Sequence, residues 1–528
     1  MKTPITGSSQ EQAGISVRTD DIPAENAARE PGHQGHPGSS TSMHRSAYCR
    51  APHAKQKAGD FTLQENNAVQ RYYPWLLVVV LFCTSVVSYL DRNIISLFVG
   101  PIRNEIGLSD VQVSLLQGIA FALFYSVMGL PFGRLVDHRT RKNLIAAGVL
   151  LWSVMTICCG LSTTFWQLFF SRMGVGIGEA CLGPAAFSMI ADCFAPAQRG
   201  RAIASYNMSN YVGVGASLLF GGAIISMLTQ HTDFGLPGIS GMPTWRLAFL
   251  ISGLPGILMA FAVLALKEPQ RREVMHTTGG HRGKVGLWSY LSRRTRAFVS
   301  IYTVYTLTAM IGYIIVAWAP SFYIRHHHMR PANVGLLMGG MTIVSGVTGC
   351  LCGGYLTDLL ASGGIRGGRF RLPLVWWPIA VASIIGMVCT SDPTLSLFFL
   401  GLLTFGSALS FSGAATVIQD VVPNQLRGQA AALNYIWTGI IGLSLGPTSV
   451  AMVTQYVLKD SSLLGNALVI VIVPLSVIGF FACYLGQDNY QKARDDLIAM
   501  LHTDTDTPAT PETAPENKKS DARQQTIV

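Results

Sequence analysis

The sequence predicts an all-α integral membrane protein with twelve transmembrane helices arranged as two six-helix halves. Three observations carry this expectation. Only 12% of the 528 residues are charged and 49% are hydrophobic, with a mean hydropathy of +0.37, which is too apolar for a soluble chain of this length. About twelve apolar windows are long enough to cross a bilayer. Short motifs from the first half of the chain return in the second.

Taken in order, residues 1–70 are rich in Ser, Gln, Pro and charge and are expected to form a disordered tail. No apolar h-region marks a cleavable signal there, so the first span is expected to direct insertion itself. The apolar windows then fall at 75–101, 110–133, 143–162, 165–193, 202–228 and 246–266, giving a first half at 71–266. A basic link occupies 267–296, and within it Val285 to Leu291, with Trp288 between basic residues, suggests an interfacial helix. The second half, 297–486, holds windows at 297–324, 332–357, 373–391, 393–421, 430–456 and 465–486. Residues 487–528, with the Thr/Pro/acidic run Thr503 to Pro515, read as a second disordered tail. Each window must satisfy its backbone hydrogen bonds internally in lipid, so each reads as a helix; no alternating pattern suggests barrel strands.

Orientation follows from the basic residues. Arg139, Arg141 and Lys142 follow span two, Arg199 and Arg201 follow span four, and Arg271, Arg272, Arg282, Lys284, Arg293, Arg294 and Arg296 fill the link. Loops that concentrate Lys and Arg stay on the cytoplasmic side, which places both termini there and the chain in a bacterial inner or plasma membrane as a multi-pass protein. The segment Ile324 to Arg330, with Arg325, Arg330 and His326-His327-His328, runs against this pattern. The net charge of +10 is read as an inner-leaflet signature, with no nucleic-acid partner, because no aromatic-basic module accompanies it. The ten cysteines fall mostly inside spans and read as small packing residues without a disulfide framework.

Two charged couples interrupt the apolar windows. Asp91-Arg92 lies in span one, and Arg172 and Glu179, seven residues apart, share one face of span four. Ionised groups at membrane depth are costly and mark pathways. Burial favours a neutral carboxyl, and a guanidinium beside it favours the carboxylate, so Asp91 and Glu179 are candidate proton carriers. Arg92 and Arg172 are candidate charge partners or anion clamps, because a guanidinium stays charged and grips an anionic group bidentately. The competing reading makes these pairs permanent salt bridges that lock helix one to helix four.

The repeat gives the architecture. Gly133-Arg134-Leu135-Val136-Asp137 after span two returns as Gly354-Tyr355-Leu356-Thr357-Asp358 after span eight, and Arg199-Gly200-Arg201-Ala202 returns as Arg427-Gly428-Gln429-Ala430. Parallel halves of this kind rock about a midplane site. Residues 133–142 resemble the signature loop of the major facilitator superfamily, with His138 and Thr140 departing from it and the second copy interrupted by Leu359 to Ile365. Within that superfamily Tyr89-Leu90-Asp91-Arg92, the run Ser171 to Ala180, Ala191-Asp192 and Lys267-Glu268-Pro269 look most like the spinster-like branch. The resemblance implies a monomeric carrier of lysolipids or sphingoid lipids, proton coupled in bacterial members, working by alternating access. The Tyr-Leu-Asp-Arg motif is shared with anion:cation symporters of small organic acids, which keeps that substrate class open. Gly133, Asp137, Arg141, Lys142 and Asp358 are the gating residues that the resemblance implies, Asp137 latching the inner gate.

Other features are weaker. Tyr89, Phe121, Tyr125, Tyr305 and Tyr313 are candidate cavity-lining aromatics, although core and lipid-facing aromatics are commoner. Gly174, Gly176 and Gly178 permit close helix contact and do not complete a nucleotide-binding fingerprint. No metal site is expected, since adjacent histidines on a loop are usually solvated, and no cofactor is implied. No enzyme is expected, since there is no H-E-x-x-H, no Gly-x-Ser-x-Gly elbow and no phosphate loop. A non-transporting receptor or scaffold shares the helices but has no need of the charged couples. The expected partners are a small-molecule substrate, protons and the lipid bilayer.

Overall fold

The computed structural model describes residues 68–230, 242–271, 287–362, 367–423 and 426–505, which lie in one compact unit and contain no strand. Twelve helices among these residues are long and apolar enough to cross a membrane. The first six are Tyr72–Leu97, Asp110–Val136, Arg141–Leu161, Phe165–Cys193, Gln198–Met227 and Thr244–Ala265. The second six are Thr295–His326, Pro331–Leu360, Gly368–Cys389, Pro393–Asp420, Arg427–Leu458 and Ser461–Met500. They are called spans one to twelve, and each coincides with one expected window. With an even number of spans, the start of span one and the end of span twelve share a face, here the terminal face.

Local chemistry sets the ends. Ser109 and Gln112 form a capping box at the start of span two, Thr164 accepts from Gln167 N at span four, and Asp392 accepts from Thr394 N at span ten. Each supplies a side-chain oxygen to an N–H that has no partner inside its helix. Gly107, at φ 76°, takes the left-handed turn that closes the short helix before span two, a conformation without steric cost only for glycine.

Several spans are broken along their length. Span one passes from the helix Ala68–Asn93 into a tighter turn at Ile94–Leu97, directly after Asp91-Arg92. Span four divides into Phe165–Glu179 and Leu182–Cys193, and span ten into Pro393–Ser412 and Ala414–Asp420. Span two divides at Gly118, where a Cβ would lie 2.9 Å from the carbonyl oxygens of Leu443 and Ser444 in span eleven. Spans five and eight meet in the same way: a Cβ on Gly339 would lie 2.7 Å from the carbonyl oxygen of Gly215. Both approaches join the two halves, and only hydrogen on Cα permits them.

Two expected boundaries change. The last helix runs from Leu464 to Thr505, well past the point where a tail was expected. The average composition of 487–505 is polar, but Tyr490, Ala493 and Leu497 recur at helical spacing and bury against the second half. The link holds a helix at Leu287–Arg293, with Trp288 74% exposed and Tyr290 Oη donating to Val421 O at 2.9 Å. Residues 1–67, 272–286 and 506–528, with the rest of both tails, Arg272, Arg282 and Lys284, lie outside the described residues.

Candidate functional site

Asp91 and Arg92 are consecutive on a helix, so their side chains leave about 100° apart and do not pair. Arg92 reaches Glu179 in span four through Nε at 3.1 Å and through Nη2, both to Oε2. Ser88 Oγ donates to the same oxygen at 2.7 Å. Ser88 is one helical turn before Arg92, so the face was legible in the sequence although Ser88 was passed over. Three rings surround the guanidinium: Phe121 at 4.3 Å, Tyr89 at 4.8 Å and Tyr125 at 5.0 Å from its carbon. Such a box holds a delocalised cation away from water. Glu179 is 1% exposed, and its Oε1 has no hydrogen-bond partner among the described residues.

The expected neighbours are therefore exchanged. Arg172 does not pair with Glu179; it donates to three backbone carbonyls, those of Leu116 at 3.3 Å, Asp91 at 3.2 Å and Arg92 at 2.9 Å. These last two carbonyls are freed where helix one ends, and Arg172 acts as their cap. Seven-residue spacing put Arg172 and Glu179 on one face, but their partners come from span one, which spacing within span four cannot reveal. Asp91 is wholly buried, and neither carboxylate oxygen has a hydrogen-bond partner among the described residues. The hydroxyls of Thr156 in span three and Ser252 in span six stand beside it. Arg92, Arg172, Asp91 and Glu179 together leave this buried cluster formally neutral.

Arg92 and Tyr89 also face a central cavity between the halves. Its lining includes Asn93, Asn210 and Tyr211 beside Arg92, Ile311, Tyr313 and Ile315 of span seven, and Leu400, Leu403 and Phe411 of span ten with Thr404 and Ser407. The lining thus joins a cationic, amide-bearing part to a mostly apolar one. Phe121 and Tyr125 belong to the box around Arg92, whereas Tyr305 is fully buried in the second half and does not line the cavity. Gly176 is pressed on the Phe121 carbonyl oxygen, where a Cβ would approach to 2.5 Å, which keeps span four close to span two.

At the terminal face Arg141 is 1% exposed. It binds Asp192, Glu268 Oε1 at 2.7 Å, Ser188 Oγ at 2.9 Å and Pro269 O at 2.6 Å. Glu268 also accepts the backbone N–H groups of Arg141 and Lys142 at 3.2 and 3.0 Å, capping span three, while Lys142 Nζ donates to Leu264 O and Leu266 O at the end of span six. Spans three, four and six are tied together there. Asp137 closes the helix Ile119–His138, and its side chain lies outside the described residues; Gly133 is in the same helix. In the second half Arg369 meets Asp420 at 2.6 Å and Asp358 at 3.6 Å. Arg369 and Asp420 stand at the same chain distance from Arg141 and Asp192, a match that the insertion at Leu359 to Ile365 concealed when Asp358 was aligned on Asp137.

The opposite face holds a bridge that the sequence did not suggest. Asp110, at the start of span two, accepts Arg325 of span seven through both oxygens, at 3.1 and 3.2 Å, and Arg103 at 3.1 Å. The bridge joins the two halves and accounts for Arg325 as an exception to the charge pattern, since its charge is matched across the interface. His326 stacks on Phe322 and His327 on Tyr323 beside it. Replacing Asp110 by Asn leaves two arginines without their carboxylate and weakens closure of this face. With coupling of about 1–3 kcal/mol, a cysteine at Gln117 should react at least about fivefold faster with an impermeant thiol reagent added from that side.

The comparisons agree with this geometry. A family model described as Major Facilitator Superfamily matches residues 81–447. The chain is 28% identical over 426 residues to an MFS-type efflux pump of Mycolicibacterium smegmatis, covering 79% of this chain and 94% of that protein. It is 26% identical over 349 residues to a probable L-galactonate transporter of Escherichia coli, covering 64% of this chain and 71% of that one. Among solved structures, a bacterial homolog of the human lysosomal transporter spinster, inward-facing and unoccupied, superposes with a TM-score of 0.66 at 25% identity, over 81% of this chain and 98% of that chain. The chain belongs to the Major Facilitator Superfamily and is a spinster-like secondary transporter, not an enzyme.

Proposed function

We propose that this protein is a proton-coupled carrier that exposes its central cavity alternately to the two sides of a bacterial inner membrane and moves amphiphilic anions of the lysolipid or sphingoid-lipid type. The observation that carries the reading is the placement of Glu179. Its carboxylate sits directly behind Arg92, which lines the cavity, and keeps one oxygen free. An anionic head group entering the cavity competes with Glu179 for Arg92. Once displaced, the buried carboxylate loses its counter-charge, and the proton is the counter-charge that this reading assigns to it. Substrate and proton are thereby linked at one guanidinium. Asp91, buried beside two hydroxyls and near the Arg172 guanidinium that holds its own carbonyl, is the second carrier. The apolar wall of spans seven and ten suits a hydrocarbon chain.

The Lys and Arg bias of the terminal-face loops supports cytoplasmic termini. The likeness to an inward-facing homolog fits the Asp110–Arg325 bridge, which closes the other side. The protein acts as a monomer in this reading. A second reading, a proton symporter of small organic acids, is favoured by the amides Asn93 and Asn210 beside Arg92 and by the sugar-acid name of the Escherichia coli relative.

The test is proton flux into proteoliposomes holding the purified protein, challenged separately with anionic lysophospholipids, phosphorylated sphingoid lipids and small mono- and dicarboxylates. Flux evoked by the lipids is expected. Flux evoked only by carboxylates moves the substrate class to organic acids, and no flux with any of them returns the charged cluster to a structural role in a receptor or scaffold.

A further inference from the structure

Tyr490 lies in the polar stretch of the last helix, past residue 486, where a tail is expected from composition. Its ring is fully buried, and its hydroxyl donates to Asp420 Oδ2 at 2.7 Å. Asp420 Oδ1 accepts Arg369 Nη1 at 2.6 Å. Asp420 ends the short helix Ala414–Asp420, the second segment of span ten. The first segment, Pro393–Ser412, supplies Leu400, Leu403 and Phe411 to the cavity, and Gly413 joins the two.

A second line of contact runs through rings. Tyr490 packs on Phe370 at 5.5 Å, Phe370 on Tyr305 at 6.5 Å, and Tyr305 on Phe411 at 6.4 Å. It ends on a residue of the cavity wall. The helix around Tyr490 is anchored separately: Arg371 Nε donates to Gln487 at 2.9 Å and the Gly367 N–H to Gln491 at 3.0 Å. Loss of the phenol hydroxyl therefore leaves the extension docked. In the first half the arginine that holds Asp192 is also held by the charged Glu268, a ligand that reaches it from beyond span six. In the second half the further ligand comes from the last span itself; it is a neutral phenol, and it binds the aspartate. A single neutral hydrogen bond to a carboxylate is easier to release than an ion pair withdrawn from water.

We propose that Tyr490 is a positioning residue of the transport cycle: by holding Asp420 it fixes the end segment of span ten while the terminal face is open, and its release lets that segment swing at Gly413 as that face closes. The inference rests on the alternating-access reading. Its test needs no substrate, so it fails independently of the proton-flux experiment.

Spin labels at Gly200 and Gly428, at the terminal ends of spans five and eleven, report the opening between the halves; no atom lies within 4 Å of a Cβ added at either. They would be placed on a background depleted of reactive cysteines and compared with Tyr490→Phe, alongside hydrogen exchange of both proteins. Tyr490→Phe should raise exchange in 414–420 about tenfold, leave 393–412 unchanged, and shift the label distances toward the closed population at an unchanged melting temperature. Unchanged exchange in 414–420 overturns the proposal, and so does faster exchange with unmoved label distances. Arg369→Gln, which loosens the same aspartate from its other side, should reproduce the shift; its failure to do so also overturns the proposal. With a transported lipid in hand, Tyr490→Phe should change the maximal rate and leave KM as it is.

Discussion

Glu179→Gln is expected to abolish substrate-evoked proton flux, at least about tenfold below wild type, while exchange of substrate across the membrane continues. Glutamine has the same shape, and its carbonyl oxygen still accepts from Ser88 Oγ and Arg92, which meet a single carboxylate oxygen in the wild type. What disappears is the charge and the ability to take a proton. Arg92 stays protonated whatever surrounds it. It is left 9% exposed and uncompensated, and removing one partner of a buried pair costs about 3–5 kcal/mol. The melting temperature should therefore fall together with the flux. An anionic substrate restores the missing counter-charge, so the variant should be stabilised by substrate more strongly than the wild type is. Asp91→Asn gives the contrast, because neither carboxylate oxygen of Asp91 meets a guanidinium through a hydrogen bond among the described residues. It should lose less stability than Glu179→Gln and lose flux only through its role as a carrier. Proton flux in both variants at wild-type level sinks the coupling role and leaves the Arg92–Glu179 pair as a fixed tie between helices one and four.

The fold was legible because lipid removes alternatives. Once an apolar run is long enough to cross the bilayer it has to be a helix, and the returning motifs after spans two and eight then set the two halves. The charged residues of the site were legible for the same reason: Asp91, Arg92, Arg172 and Glu179 are conspicuous in an apolar run. Their partners were not. Residue spacing reports faces within one helix, whereas the Arg92–Glu179 pair and the Arg172 cap depend on how spans one and four turn toward each other. The Arg172 cap was further hidden because its acceptors are backbone carbonyls, which leave no trace in a sequence. The Asp110–Arg325 bridge was missed because two loop charges more than two hundred residues apart look like solvated ends. Tyr490 was missed because a helix with three buried residues per two turns averages to a polar composition.

Gly339→Leu is expected to reduce transport at least about tenfold by holding the face opposite the termini open. At Gly339 even a single Cβ would lie 2.7 Å from Gly215 O and 2.9 Å from Leu219 N, both backbone atoms that cannot rotate aside. Spans five and eight must separate to admit a leucine, and with them the two halves. Forcing volume into a close-packed contact costs about 1–3 kcal/mol or more. That cost falls only on the conformation in which spans five and eight touch. A carrier with two conformations within a few kcal/mol of each other responds with a population shift of about five- to more than a hundredfold. The adjacent Gly340 is the control: nothing lies within 4 Å of its added Cβ. Gly340→Leu therefore should transport as the wild type does, although it places the same side chain at the same depth. The opening itself is read by reaction of the Gln117 cysteine with an impermeant thiol reagent added from that face, faster in Gly339→Leu and unchanged in Gly340→Leu. Equal transport and equal reactivity in the two variants would mean that the glycine contact is incidental packing, and closure of that face would then rest on its other contacts, the Asp110–Arg325 bridge among them.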